Sequence, residues 1–192
     1  MDDMATTETL STHPNFVAGT WKLDPAHSEL TFSVKHLAIS KVRGTFERFD
    51  VTIVTAPDDA DGIHTIDATI DIASVNTKQA QRDAHLRTSD FFLVDEHPTA
   101  TFHSTGGSWD GDEFTIVGDL TLRGVTKEVV LKGELGGVTT DMQGNTKAGA
   151  SASTTINRHD FGVSWNAALE AGGFMLGDDV KINLDLQVVL QK

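Results

Sequence analysis

The stretch Val180-Lys181-Ile182-Asn183-Leu184-Asp185-Leu186-Gln187-Val188-Val189-Leu190 carries the clearest structural signal in the chain. Val180, Ile182, Leu184, Leu186, Val188 and Leu190 alternate without a break against Lys181, Asn183, Asp185 and Gln187. Successive side chains of a strand point to opposite faces, so a period of two predicts a strand with one apolar and one wet face. Such a strand is most natural in an antiparallel sheet.

The same period recurs upstream. Order is expected to begin near Gly19, with Trp21 and Leu23 on one face of a first strand that ends at the turn Asp24-Pro25. Leu30, Phe32, Val34 and His36 then share a face between His27 and Leu37. A strand from Val42 to Val54 follows, and the misfit of Phe49 with Phe46 predicts a β-bulge near residues 48–50. Ile66, Ala68, Ile70 and Ile72 form another apolar row. Ala100–Ser104 reads as a strand ending in a turn at Gly106-Gly107. Glu113–Leu122, with a bulge or bend at Gly118, and Lys127–Leu135 read as a hairpin tightened by Gly124. Lys147–Asn157 is strand-like but built of small residues, which leaves room beside it for large neighbours or a ligand.

Two segments depart from this pattern. Residues 77–98 crowd Arg82, Asp83, His85 and Arg87 ahead of Phe91-Phe92, which predicts a short helix near 78–88 acting as a lid or plug. A helical turn is expected near 158–162. The expected class is therefore all-β, with about eight antiparallel strands in a sandwich or a closed barrel. The long strands favour the barrel, because closure removes exposed sheet edges. An eight-stranded barrel has an interior just wide enough for packed side chains or one slender ligand.

Composition narrows the function. The 192 residues suffice for one sizeable core, and all-β domains of this length are often undivided. Residues 1–17 read as a flexible arm and 18–192 as one domain. There is no cysteine, which excludes disulfides, cysteine zinc sites and thiol catalysis. A formal charge of −13 repels phosphate backbones and anionic membranes, so no nucleic-acid partner is expected. The N-terminus lacks the basic and apolar regions of a secretory signal, and a cytoplasmic location is expected. No apolar run approaches the ~20 residues of a transmembrane helix. His27 and His36 lie at opposite ends of one strand, no compact metal-ligand spacing occurs, and no nucleophile elbow accompanies His85 and Asp83. No metal, no cofactor and no catalytic residue are expected.

Several ungapped blocks carry a family resemblance. Asp24-Pro25-Ala26-His27-Ser28, Phe32-Ser33-Val34-Lys35-His36-Leu37 and Val42-Arg43-Gly44-Thr45-Phe46 open it. Arg82-Asp83-Ala84-His85-Leu86-Arg87-Thr88-Ser89-Asp90-Phe91-Phe92 lies at its centre. Pro98–Phe102, Gly118–Lys127, Ile156–Gly162, Trp165-Asn166 and Gly177–Val180 complete it. The chain resembles the YceI-like proteins across roughly residues 19–190. The resemblance implies a lipocalin-like barrel holding a polyisoprenoid, such as a polyprenyl phosphate or diphosphate or an isoprenoid quinone, in an apolar central pore. It also admits a homodimer.

Pore-lining residues are then expected at Leu30, Phe32, Val34, Ile66, Ile70, Ile182, Leu184 and Leu186, with Phe91, Phe92, Phe161 and Trp165 sealing the mouth. Each buried methylene contributes about 0.8 kcal/mol, so ten supply roughly 8 kcal/mol before association costs. That gross figure corresponds to about micromolar binding, so tight binding needs a longer tail. Periodicity alone favours a dry, filled core; the resemblance reverses that balance. On the helix, Asp83 and Arg87 lie four apart and read as a structural pair. Arg82 and His85 lie three apart on one face and are the head-group candidates, arginine offering a donor fork matched to phosphate. The function expected is to bind, store or carry a long isoprenoid lipid, without enzymatic turnover. Rival readings are an enzyme acting on such a lipid and a ligand-free, stress-related structural protein.

Overall fold

The computed structural model describes residues 17–55 and 65–192. The expected arm, apart from Val17, and the acidic sequence 57–62, which reads as a turn-rich exposed loop, lie outside the described residues. Among these described residues eleven strands and one α-helix follow in chain order: β1 (Gly19–Leu23), β2 (Glu29–His36), β3 (Ser40–Phe46), β4 (Phe49–Thr55), β5 (Thr65–Asp71), β6 (Val75–Asn76), α1 (Ala80–Leu86), β7 (Thr99–Asp110), β8 (Glu113–Leu122), β9 (Val125–Thr140), β10 (Thr146–Asn157) and β11 (Leu176–Leu190).

Six of these strands are halves of three broken ones. β1 and β2 are divided by a one-turn helix at Pro25–His27, started by the Asp24 carboxylate accepting from the Ala26 N–H at 3.1 Å. β5 and β6 are divided in the same way at Ile72–Ser74, where Asp71 accepts from the Ala73 N–H. Between β3 and β4 only Glu47-Arg48 intervene, at the place where a bulge was expected. The step is a full break: the Arg48 N–H turns to Ser74 Oγ at 3.0 Å, so the two broken strands bend together. Counted this way there are eight strands.

All pairings are antiparallel. The ring runs β1-β4-β5-β7-β8-β9-β10-β11 and returns to β1. β11 closes it because it is long enough to pair with β1 through Val188–Leu190 and with β2 through Leu176–Asp185. The result is a closed up-and-down barrel, each strand paired with its sequence neighbours and the last with the first.

Two glycine expectations change. Gly106-Gly107 is no turn: β7 runs straight through it, with the register slip between Ser104 and Gly106, and turns only beyond Asp110. Gly118, expected at a bulge or bend, stands opposite that slip and pairs regularly only with Val129 of β9; a Cβ there would run into the Phe102 ring and meet the His103 carbonyl at 2.6 Å, so close packing also requires glycine. The β8–β9 hairpin is the tight one foreseen, with positive φ at both Arg123 (51°) and Gly124 (73°), the twist-matched form of a two-residue turn.

One end of the barrel is filled. Trp21 (0 % exposed) packs with Leu135, Ala148 and Val188, and Ile53, Trp109, Val138 and Leu190 surround them. Its indole Nε1 donates to Thr55 Oγ1 at 3.1 Å, which keeps the buried ring polar-satisfied. The other end is crossed by α1 and the turns that follow it.

Candidate ligand-binding cavity

Between the Trp21 floor and the helical lid lies an axial cavity of about 420 Å³. That is within the ~300–1,000 Å³ typical of small-molecule sites. It exists because the inward positions change size around the wall. Large side chains come from β2 (Leu30, Phe32, Val34) and β11 (Ile182, Leu184, Leu186), whereas β10 presents Ala150 and Ala152. The small-residue strand leaves the space its composition foretold.

Ile66 and Ile70 of β5 also line the cavity, as do Phe91, Phe92 and Trp165 at the lid. Phe161 does not. The alternation of β10 stops at Asn157, whose carboxamide oxygen accepts from the His159 N–H and starts the one-turn helix Arg158–Phe161. That turn carries Phe161 away from the wall and buries it, 1 % exposed.

The lid is fastened by polar groups at its start and by rings at its end. Asp83 is buried and takes the Thr77 N–H at 2.8 Å and the Thr77 hydroxyl at 2.6 Å on one oxygen. Arg82 donates from Nε to Thr77 Oγ1 at 2.8 Å and from Nη2 to the Thr77 carbonyl at 3.0 Å. Arg87 donates to the carbonyls of Ala73 and Val75. The expected Asp83–Arg87 pair is therefore not made: both residues fix the lid, but each reaches the strand-to-helix connection, because Asp83 is drawn inward to the free N–H and hydroxyl of Thr77. In the last turn of the helix, His85 stands edge-on to Phe91 (centroids 5.0 Å) and to Trp165 (4.9 Å), and its Nε2 is hydrogen-bonded to Asp90 at 2.8 Å. Phe92 meets Phe46, and Phe46 meets Phe32, linking the lid to the wall.

Among the described residues four titratable side chains line the cavity, His36, Arg82, His85 and Arg158, and all sit at the lid end. Arg158 opens the helical turn expected near 158–162. It fixes that turn: Nε donates to the Gly177 carbonyl at 2.9 Å, and Nη1 to the carbonyls of Val163 and Trp165, both at 2.8 Å. Burial pulls its guanidinium below the ordinary arginine value, partly offset by the Asp178 charge. Its place at the cavity was visible in the alternation. Ala148, Ala150, Ala152, Thr154 and Ile156 point inward, and Arg158 is the next member of that series. Among the described residues no cluster of three His, Cys, Asp or Glu side chains is placed to hold a metal, and no helix is long and apolar enough to cross a membrane.

A closed meander of eight strands around one axial cavity, with a helical lid, defines a lipocalin-like barrel. The chain belongs to the YceI-like family, whose domain model matches residues 21–188. A UPF0312 protein of Staphylococcus aureus (strain MSSA476) is 44 % identical over 161 residues, covering 82 % of this chain and 90 % of that protein. The Campylobacter jejuni YceI protein superposes with a TM-score of 0.68 at 34 % identity, over 82 % of this chain and 90 % of its own. Two more distant structures share the fold. Burkholderia cenocepacia BcnA has a TM-score of 0.73 at 20 % identity, covering 86 % of this chain and 98 % of its own. A polyisoprenoid-binding domain from Saccharophagus degradans has a TM-score of 0.68 at 17 % identity, covering 89 % and 98 %.

Proposed function

We propose that this protein binds a long isoprenoid lipid, a polyprenyl phosphate or diphosphate or an isoprenoid quinone, and stores or carries it without chemical conversion. The observation that carries the reading is the distribution of chemistry along the cavity. Aliphatic and aromatic side chains from both halves of the wall surround its length, while the titratable side chains gather at the lid. A chain of methyl-branched units fits such a wall without needing polar partners, and a polar head fits the lid end beside Arg82 and His85. The Saccharophagus degradans domain, described as polyisoprenoid-binding, has the same fold, which supports the assignment.

Native mass spectrometry after gentle purification, followed by solvent extraction, tests it. A hydrophobic adduct recovered unchanged is expected. Prenyl alcohols of increasing length, offered to delipidated protein, should bind progressively tighter, since each buried methylene contributes about 0.8 kcal/mol. Affinity independent of chain length, together with a homogeneous ligand-free mass, would overturn the reading; product formation from the bound lipid would replace it with an enzyme.

A further inference from the structure

Arginine carries five N–H donors, and a buried one is normally satisfied by acceptors or by a carboxylate. Arg158 is 5 % exposed, and three of its donors are used on the carbonyls of Gly177, Val163 and Trp165. Its Nη2, with the remaining two, is buried without a hydrogen-bond partner among the described residues. The acid whose charge acts on it, Asp178, is hydrogen-bonded to His159 at 2.8 Å and is 62 % exposed. Neutral carbonyls orient a guanidinium but do not cancel its charge, and an uncompensated buried charge is costly. A counter-charge that arrived with a ligand would relieve that cost.

The surroundings favour an anion over a neutral acceptor. Although the whole chain carries a formal charge of −13, the described residues lining the cavity include two arginines and two histidines and no carboxylate. The two lid groups foreseen as head-group partners are already engaged, Arg82 with Thr77 and His85 with Asp90. Trp165 joins the two regions, since its carbonyl holds Arg158 and its ring packs on His85.

We infer that Arg158 is the head-group anchor of the cavity: its unpartnered Nη2 receives an anionic oxygen, of a phosphate or a carboxylate, borne by the lipid whose tail runs toward Trp21. This rests on the lipid-binding reading above and adds a ligand polarity, an orientation and a specificity-determining residue to it. Two donors on one nitrogen, held by a fixed turn, make charge-assisted bonds that a hydroxyl matches poorly.

The experiment compares geranylgeraniol, geranylgeranyl phosphate, geranylgeranoic acid, palmitic acid and inorganic phosphate on the delipidated full chain, following intrinsic tryptophan fluorescence and calorimetric heat. The phosphate and the acid are expected to bind at least about tenfold tighter than the alcohol, the scale of a hydrogen bond to a charged group. In Arg158→Gln that preference, the ratio of anion to alcohol affinity in the same variant, should fall to near unity. Equal affinity of alcohol and anion for the native chain overturns the inference, and so does a preference that survives in folded Arg158→Gln. Should that variant lose its cooperative melt, the native-chain comparison decides alone. Inorganic phosphate binding as tightly as the prenyl phosphate would assign the site to a free anion and refute the lipid head. If every prenyl compound fails but palmitic acid binds through Arg158, the isoprenoid reading falls and the anchor stands; if no amphiphile binds, both fall.

Discussion

The open space beside β10 can be tested by filling it. Ala152 lies between Gly133 of β9 and Leu184 of β11, on the face that lines the cavity. Ala152→Leu adds three carbons. In a cavity of about 420 Å³ they remove apolar surface from water without displacing protein atoms, so the ligand-free protein should gain up to about 2.4 kcal/mol. For a chain of this size that corresponds to a rise in Tm of roughly 5–10 °C. The same three carbons take volume from a bound tail; losing about three methylene contacts weakens a long-chain ligand by about 2.4 kcal/mol, or roughly 50-fold. Urea or thermal denaturation of delipidated protein reads the first effect, and titration with a prenyl ligand reads the second. A filled core responds with the opposite sign, because overpacking costs about 1–3 kcal/mol. A destabilised Ala152→Leu with unchanged ligand affinity would refute the reasoning that this strand borders open space.

Further perturbations probe the lid, the wall and one exposed turn. Asp83→Ala removes two hydrogen bonds to a buried carboxylate and should cost about 2–3 kcal/mol in a urea melt, with faster amide exchange across 77–87; a change below 0.5 kcal/mol would show that Thr77 does not hold the lid. Gly118→Ala drives a methyl into the Phe102 ring and the His103 carbonyl and should cost about 1–3 kcal/mol or more, whereas Gly106→Ala, with no atom within 4 Å of the new Cβ, should be tolerated in the same assay. Hydrogen bonds from the Asn145 backbone N–H and side chain, together with Lys147, lower the Asp141 carboxyl to about 2 from 3.8. A depressed carboxylate stabilises the fold above its unfolded value, so order in the β9–β10 turn should be full above about pH 4 and fade as pH falls toward 2. Carboxyl-detected NMR should find this titration, and Asp141→Asn should abolish it.

The wall was legible because a half-buried strand writes its burial directly into a period of two. Leu30–Val34, Ile66–Ile70 and Ile182–Leu186 are inward where alternation places them, and the small residues of 148–152 mark where the interior is open. Less of the polar architecture could be read. Asp83 and Arg87 are spaced as an i,i+4 pair, yet each finds a backbone or hydroxyl partner in residues 73–77, because unsatisfied polar groups at the strand-to-helix junction compete with a pairing that solvent screens. Phe161 was misplaced because a one-turn helix ends the strand four residues earlier and changes which side faces in. Gly106 and Gly118 were only partly legible for a related reason: sequence marks a glycine but not whether it supplies a turn, a slip or clearance for a neighbouring ring. Arg158 continues the inward series of β10 past the end of the strand, where a helical turn was expected and parity no longer tells which side faces in.

Ring closure has a consequence for the order of events during synthesis. Trp21, the centre of the floor, pairs with Leu190, roughly 170 residues later. At the usual pace of translation the first strand waits roughly 10–30 s for its partner to be made. Until then β1 and β2 form the free border of an open, curling sheet, with Leu30 and Phe32 still without the β11 side chains that cover them. Such a border invites pairing with another nascent chain. Soluble yield should therefore depend more on expression temperature and chaperone supply than on the stability of the finished barrel, because the vulnerable period ends only when the ring shuts.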